Sequence, residues 1–213
     1  MTESAVVLAS GGLDSTTLCY DLVRQGVSTI PLFINYGQHC ADTELDTLNS
    51  VLPLQLKGQL RTVNVADVYQ GAKSRLISEA NLWEESVEYD SLYLPYRSLL
   101  LLTIGAAFAQ AHGLPAVYAA FINSNHAQEI DCSLAFFDKL SGLLAGFGGV
   151  ELRLPYKNLS KAQVGEIAIE LGAPLGLTFS CQVSATVPCG ACPNCVDRLE
   201  ALDELSESSG LSQ

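Results

Sequence analysis

Basic residues are scarce in this chain. Eleven Lys and Arg stand against 23 Asp and Glu over 213 residues, a formal charge of −12. That field repels a phosphate backbone, so bulk binding of RNA or DNA through an electrostatic face is disfavoured, although local groups can still hold small anions. Long apolar runs are missing as well: none reaches the roughly 18 to 20 residues that cross a bilayer, and no membrane association is expected. Charged residues make up only 16% against 48% hydrophobic, which excludes intrinsic disorder. The length suits one ordinary domain with or without a small appendage. Met1-Thr2-Glu3-Ser4 carries no basic stretch and no signal-type cleavage pattern, so a cytoplasmic location is expected.

Short apolar runs alternate with helix-compatible stretches. Val6 to Ala9 is apolar and ends at Ser10-Gly11-Gly12, and residues 15–25 keep helical spacing until Gly26. Further strands are expected at Ser28 to Ile34, Leu60 to Val65, Ala116 to Phe121 and Glu151 to Leu154. Helices are expected at about His39 to Val51, Arg97 to His112, Ile130 to Leu144 and Pro193 to Leu205. Another runs from Ser160, whose spacing to Gln163 has the capping-box form, to a stop at Gly172 and Pro174. The alternation predicts an α/β fold, a parallel twisted sheet with helices on both faces, followed by a cysteine-rich C-terminal segment. Residues 66–95 break the pattern and read as an insertion or flap, in which Trp83 and nearby tyrosines stack on a base or pack the flap. The expected organisation is therefore an α/β domain over 1–177, a cysteine-rich segment with a terminal helix over 178–206, and a flexible tail over 207–213.

Ala9-Ser10-Gly11-Gly12-Leu13-Asp14-Ser15-Thr16-Thr17 closes the first strand and opens the first helix. Free backbone N–H groups and the positive end of the helix dipole favour an anion there, and glycine lets phosphate approach without a Cβ in the way. The Walker lysine and the G-x-G-x-x-G spacing of dinucleotide folds are both absent. Asp14 is a candidate to support Mg²⁺ on phosphate oxygens, or else an ordinary helix-start residue. Lys161 falls in the first turn of a helix, where the dipole disfavours a cation and a bound anion would explain it. Arg97 starts a helix just after the insertion, positioned to offset phosphate or carboxylate charge or to form a surface ion pair. His39 and His126 are the plausible polar-site histidines, and His112 lies at a helix end.

Four of the seven cysteines, Cys181, Cys189, Cys192 and Cys195, fall within fifteen residues on a loop-rich stretch. Soft thiolates at that spacing are the usual structural Zn²⁺ set. An iron–sulfur cluster is the rival, but its bacterial run continues with a nearby fourth Cys and Pro that do not follow Cys195. Cys19, Cys40 and Cys132 carry no such spacing and read as packing.

The Ser-Gly-Gly-Leu-Asp-Ser loop resembles the pyrophosphate loop of the N-type ATP pyrophosphatases, the PP-loop superfamily, whose fold is adenine nucleotide alpha hydrolase-like. With the four-cysteine tail it is similar to QueC, the 7-cyano-7-deazaguanine synthase family. Tyr36-Gly37-Gln38 resembles that family's YGQ. Leu94-Pro95-Tyr96-Arg97-Ser98 resembles its VPGRN, with Tyr96 and Ser98 standing for Gly and Asn. Asp131-Cys132, Pro155, Lys161 and Arg198 also fit, while residues 122–132 otherwise depart from the family's DYSGYPDC segment. The resemblance implies ATP, Mg²⁺ and a structural Zn²⁺, and a homodimer. It implies ATP contacts at Tyr36, Gln38, Arg97 and Lys161, catalytic roles for Asp14, Arg97 and Lys161, and a substrate contact at Asp131; His126, in the divergent segment, is a candidate substrate contact and proton carrier in its own right. The reaction it implies joins 7-carboxy-7-deazaguanine to ammonia through an adenylate and an amide, ending at the nitrile. The chain also resembles divergent QueC-like proteins found beside antiphage genes, for which the acceptor is a protein amine. Two other classes share the loop: tRNA-modifying enzymes, whose polyanionic substrate the acidic composition opposes, and a zinc-stapled ATP sensor without turnover.

Overall fold

The computed structural model describes residues 3–81, 84, 86–122 and 132–208. Five strands, β1 (Ser4–Leu8), β2 (Ser28–Asn35), β3 (Arg61–Asn64), β4 (Ala116–Tyr118) and β5 (Glu151–Arg153), form one sheet in the order β3-β2-β1-β4-β5. Every pairing is parallel. The helices are α1 (Leu13–Arg24), α2 (Ala41–Val51), α3 (Leu54–Lys57), α4 (Arg97–Ala111), α5 (Leu134–Gly148), α6 (Lys161–Glu170) and α7 (Pro193–Ser208).

Strand pleating sorts the core into two layers. Ala5 and Val7 of β1 pack with Leu18, Cys19 and Leu22 of α1 and Val164 of α6. Val6 points the other way, toward Leu102, Ala106 and Ala109 of α4 and Phe137 and Leu140 of α5. Helices thus cover both faces, as the alternation of short apolar runs and helical stretches requires. The chain winds outward from β1 through β2 to β3 and then returns to lay β4 on β1's free side. Strand order reverses there, and in open α/β sheets such a reversal leaves a crevice beyond the carboxyl ends of the strands.

Several boundaries move. The first helix begins at Leu13 rather than residue 15, and the second at Ala41 rather than His39. The fourth strand stops at Tyr118, where its pairing with β1 ends at Val7↔Tyr118, and not at Phe121. Ser133 caps α5 by accepting from the Phe136 N–H at 3.1 Å, so that helix starts at Leu134 instead of Ile130. The terminal helix runs on to Ser208, three residues beyond Leu205 and into the expected tail. Residues 209–213 of that tail lie outside the described residues, as do Trp83, His126 and Asp131. At Ser160 the expected capping box forms, Ser160 Oγ accepting from the Gln163 N–H while Gln163 Oε1 accepts from the Ser160 N–H.

Residues 66–95 contribute Tyr69, Leu76, Leu92 and Leu94 to a third apolar cluster, which also holds Tyr36, Phe179, Cys181 and Val183. The segment Asp90–Ala111 is long and apolar enough to span a membrane by length and composition, contrary to the reading of the bare sequence. Its α-helical part is the 15-residue α4, and Leu102, Ala106 and Ala109 on it are core residues. α4 touches the sheet through Gly105, where an added Cβ would lie 2.9 Å from Val117 Cγ2 and 3.0 Å from Leu8 Cδ2. Gly105→Val is therefore expected to destabilise the fold by about 2 kcal/mol through overpacking. Urea denaturation measures it, and an unchanged midpoint would mean that α4 sits farther from the sheet.

Candidate functional site

A cavity of about 260 Å³ opens in the crevice, lined by the end of β1, the loop after it, the ends of β2 and β4, and residues of α2, α4, α6 and the C-terminal segment. The loop after β1 is held by its own hydroxyls. Ser15 Oγ accepts from the Ser10 N–H at 3.2 Å and donates to the Gly12 carbonyl at 3.3 Å. Gly12 is the N-cap residue of α1 with no side-chain cap, and it lines the cavity together with Leu13, Asp14 and Ser15 of the first turn. Gly11 has φ +79, and a Cβ on it would lie 2.9 Å from both the Glu44 carbonyl O and the Leu48 N of α2. Its carbonyl accepts from the Phe179 N–H at 3.1 Å. Only glycine satisfies both the conformation and the clearance. Ala9, Ser10, Gly12, Leu13, Asp14 and Ser15 line the cavity, whereas Thr16 and Thr17 are buried beneath it, the Thr17 hydroxyl donating to the Leu13 carbonyl at 2.8 Å.

Asp14 and Lys161 meet from different helices: Lys161 Nζ lies 3.3 Å from Asp14 Oδ2, both side chains largely shielded. The other carboxylate oxygen, Oδ1, is buried and without a hydrogen-bond partner. A buried acceptor left in that state costs about 1–3 kcal/mol, so it marks a position prepared for a cation or a donor. A hard cation with oxygen ligands fits this carboxylate. Arg198 of α7 stands behind the pair, tied to the Leu175 carbonyl at 2.7 Å and to Thr178 Oγ1 at 2.5 Å.

Arg97 lines the same cavity near the Tyr36 hydroxyl and the Glu44 carboxyl. Burial pushes the Tyr36 hydroxyl up to about 12, with Arg97 pulling the other way. Gln38 is 5% exposed and its amide is spent internally: Oε1 accepts from the Tyr36 N–H at 2.9 Å, and Nε2 donates to the Ile34 carbonyl at 3.3 Å and to Glu44 Oε2 at 2.9 Å. Burial raises the Glu44 carboxyl to about 7, opposed by the Gln38 hydrogen bond and by Arg97. Glu44 was not singled out from the sequence. It sits eight residues after Tyr36 on a helix rich in surface acids, and only the folding of α2 onto Gly11 turns it inward.

Tyr96, before Arg97, has φ 56 and ψ 25, the one positive-φ non-glycine among the described residues. The Tyr69 hydroxyl donates to the neighbouring Pro95 carbonyl at 2.7 Å. His39 Nε2 lies 3.1 Å from the Gln182 carbonyl and His112 stacks on Phe108 with ring centroids 4.0 Å apart, so each anchors structure. Cys132 and Ser98 touch, with Sγ to Oγ at 3.1 Å. Cys19 is sealed in the core, its thiol pushed up to about 12 by burial.

The Sγ atoms of Cys181, Cys189, Cys192 and Cys195 all lie within 4.8 Å of one another. A tetrahedral Zn²⁺ with bonds of about 2.3 Å needs sulfurs about 3.8 Å apart, so the set fits one ion after small adjustments. Backbone N–H groups are aimed at the sulfurs as at thiolates: Ser184 to Cys181 at 3.3 Å, and Cys192 to Cys189 at 3.2 Å. The Cys192 hydrogen bond, reinforced by the backbone, pulls the Cys181 thiol well below its usual value.

The sequence profile described as "Queuosine biosynthesis protein QueC" matches residues 4–206. The chain belongs to the QueC family. It is 31% identical over 212 residues to the 7-cyano-7-deazaguanine synthase of Haloarcula marismortui, covering 95% of this chain and 91% of that protein. To 7-cyano-7-deazaguanine synthase 1 of Desulfitobacterium hafniense it is 30% identical, covering 98% and 94%. A solved 4-thiouridine synthetase–RNA complex with bound ATP superposes with a TM-score of 0.52 at 18% identity, covering 99% of this chain and 54% of that one, a likeness of fold alone. QueC membership makes the chain an ATP-dependent ligase of the synthase type, with the PP-loop fold that the pyrophosphate-loop resemblance implies.

The contact between Gly11 and α2 is directly testable. Gly11→Ala combines a left-handed Cβ with a backbone clash and is expected to cost about 2–3 kcal/mol. Thermal melting reads it, and an unchanged Tm would mean that α2 does not press on the loop.

Proposed function

We propose that this chain adenylates the carboxylate of 7-carboxy-7-deazaguanine with ATP in the cytoplasm and passes the acyl group to ammonia, giving the amide and then the nitrile 7-cyano-7-deazaguanine. The observation that carries the reading is the single cavity that unites the loop at the switch point with Asp14, Arg97 and Lys161, in a chain about 30% identical over nearly its whole length to 7-cyano-7-deazaguanine synthases.

A carboxylate oxygen is a poor leaving group, and an acyl adenylate supplies a good one. The loop's N–H groups and the Ser10 and Ser15 hydroxyls hold the departing pyrophosphate end. Arg97 and Lys161 bring positive charge to the α-phosphate and the acid and orient them. Asp14 offers its unpartnered oxygen to Mg²⁺, which when bound neutralises charge on the phosphates. The four cysteines hold Zn²⁺ as a structural staple, since their segment carries Phe179 and Gln182 to the cavity wall. A homodimer belongs to the same reading: α5 exposes Leu143 and Phe147, the latter 89%, as surface a second copy would cover.

Asp14→Ala is expected to cut acid-dependent pyrophosphate release at least 100-fold while the melting curve stays put, measured by a coupled phosphate assay. Mass spectrometry of a reaction with MgATP, ammonia and 7-carboxy-7-deazaguanine reads the product. A nitrile supports the reading, an adduct on added protein would transfer the acyl group to a protein amine instead, and no acid-dependent turnover would leave only a nucleotide-binding protein. Cys192→Ser, or strong chelation, is expected to release one zinc per chain and to lower Tm by 10 °C or more. Loss of turnover with zinc and Tm retained would contradict a structural role.

A further inference from the structure

Amine capture requires a group that the roles above leave unassigned. At neutral pH ammonia is present almost entirely as ammonium, which has no lone pair to attack an acyl carbon. A proton acceptor at the site has to remove that proton.

Candidates among the described residues fall away one by one. Asp14 is paired with Lys161. His39 is turned to the Gln182 carbonyl, and His112 is stacked at the far end of α4 with Nδ1 on the Phe108 carbonyl. Burial pushes the Tyr36 hydroxyl and the Cys40 thiol up to about 12, so neither accepts a proton at neutral pH. Glu44 remains. It lines the cavity, forms no ion pair within 4.0 Å among the described residues, and has one carboxylate oxygen fixed by Gln38. Gln38 is in turn locked by the backbone of Ile34 and Tyr36, so the carboxyl is held by a rigid bracket rather than swinging free.

We propose that Glu44 is the proton acceptor for the incoming amine, aimed into the cavity by Gln38 as its positioning residue. This inference rests on the adenylate reading above. Ammonium gives one proton to a Glu44 carboxylate oxygen and becomes ammonia. Its lone pair forms the C–N bond as the carbonyl π pair moves to oxygen. The C–O bond to AMP then breaks, AMP leaving with that electron pair as the carbonyl re-forms, and the second amine proton passes to solvent. The carboxyl's titration near 7 suits this exchange, since a group split between its two states at working pH both takes and releases a proton. The groups that face it and set that titration are Gln38 and Arg97, with Tyr36 and Cys40 beside them.

Glu44→Gln in the full chain is the test, with three readouts. Acid-dependent pyrophosphate formation in the absence of amine reports adenylation, amide formation from ammonia reports capture, and hydroxamate formation from hydroxylamine reports capture of a nucleophile already unprotonated at neutral pH. The variant should keep adenylation within threefold of wild type, lose at least 50-fold with ammonia, and retain most of its rate with hydroxylamine. Raising the pH should recover part of the ammonia rate. Folding is read separately: Glu44→Gln should match or exceed the wild-type Tm at pH 8, because the folded chain raises this carboxyl's pKa and so disfavours its charge above 7. Equal losses with both nucleophiles, or an ammonia rate unchanged, would overturn the assignment. Wild type failing to release pyrophosphate with the acid would instead overturn the reading beneath it. Gln38→Met, which leaves Glu44 in place without its bracket, should lower kcat with ammonia at unchanged KM for ATP. A higher KM for ATP with kcat retained would mean that Gln38 serves the nucleotide and does not position Glu44.

Discussion

The backbone of α2 lies so close to Gly11 that no side chain fits between them, and the rest of the site follows from that contact. It fixes the turn of the phosphate loop from outside, since the loop's own bonds are a few hydroxyl contacts at 3.2–3.5 Å. It also brings Glu44 to the cavity, because Glu44 and Leu48 are the residues whose backbone touches Gly11. The other side of Gly11 is tied to Phe179, so the same glycine joins the first loop to the C-terminal segment. Thr43 Oγ1 donates to the Ala185 carbonyl, and His39 reaches the Gln182 carbonyl, which secures that segment to α2 a second time. Stretches some 170 residues apart in sequence thus form one wall.

Local signals made most of this architecture legible. The Ser-Gly-Gly loop stood between an apolar run and a helical one, which decides the strand–loop–helix unit. Ser160 and Gln163 announced a helix start that the hydrogen bonds reproduce. Cysteine spacing was enough to group four sulfurs. What the sequence did not reveal depends on tertiary contact. Glu44 reads as one more acid on an amphipathic helix, because its spacing is that of a solvated face and nothing local records the helix pressing on Gly11. Gln38 looks like a ligand-binding amide, yet its donors and acceptor are used by backbone and by Glu44. The described residues of 66–95 gave no periodicity because they include turns and two short 3₁₀ segments, Ala66–Tyr69 and Tyr89–Leu92, and Tyr69, Leu76, Leu92 and Leu94 pack against the cysteine segment.

Two of the scarce cations occupy positions that helix electrostatics disfavour. Arg97 and Lys161 are the first residues of α4 and α6, where the positive end of the dipole costs a cation about 0.3–1 kcal/mol. The approach to Arg97 adds strain, since Tyr96 holds a left-handed conformation worth about 1–3 kcal/mol. Side chains that serve only stability would sit at the other ends of these helices. Both line the same cavity instead, and placing positive charge at two helix N-termini adds to an anion-attracting field there.

The overall charge has a complementary effect. A protein at −12 repels a polyanionic substrate but draws small cations, ammonium among them, toward its surface. At the cavity wall the charges are matched, Arg97 and Lys161 against Asp14 and Glu44, and on the proposed chemistry the two cations serve phosphate and carboxylate. On that chemistry an ammonium ion attracted by the outer field meets these two cations, which oppose its charge and favour giving up a proton. A carboxyl raised to about 7 by desolvation at that wall is suited to receive it. On the proposed chemistry, the acidic surface and the cavity's paired charges act in sequence: the first collects the amine, and Arg97 and Lys161 favour its arriving neutral.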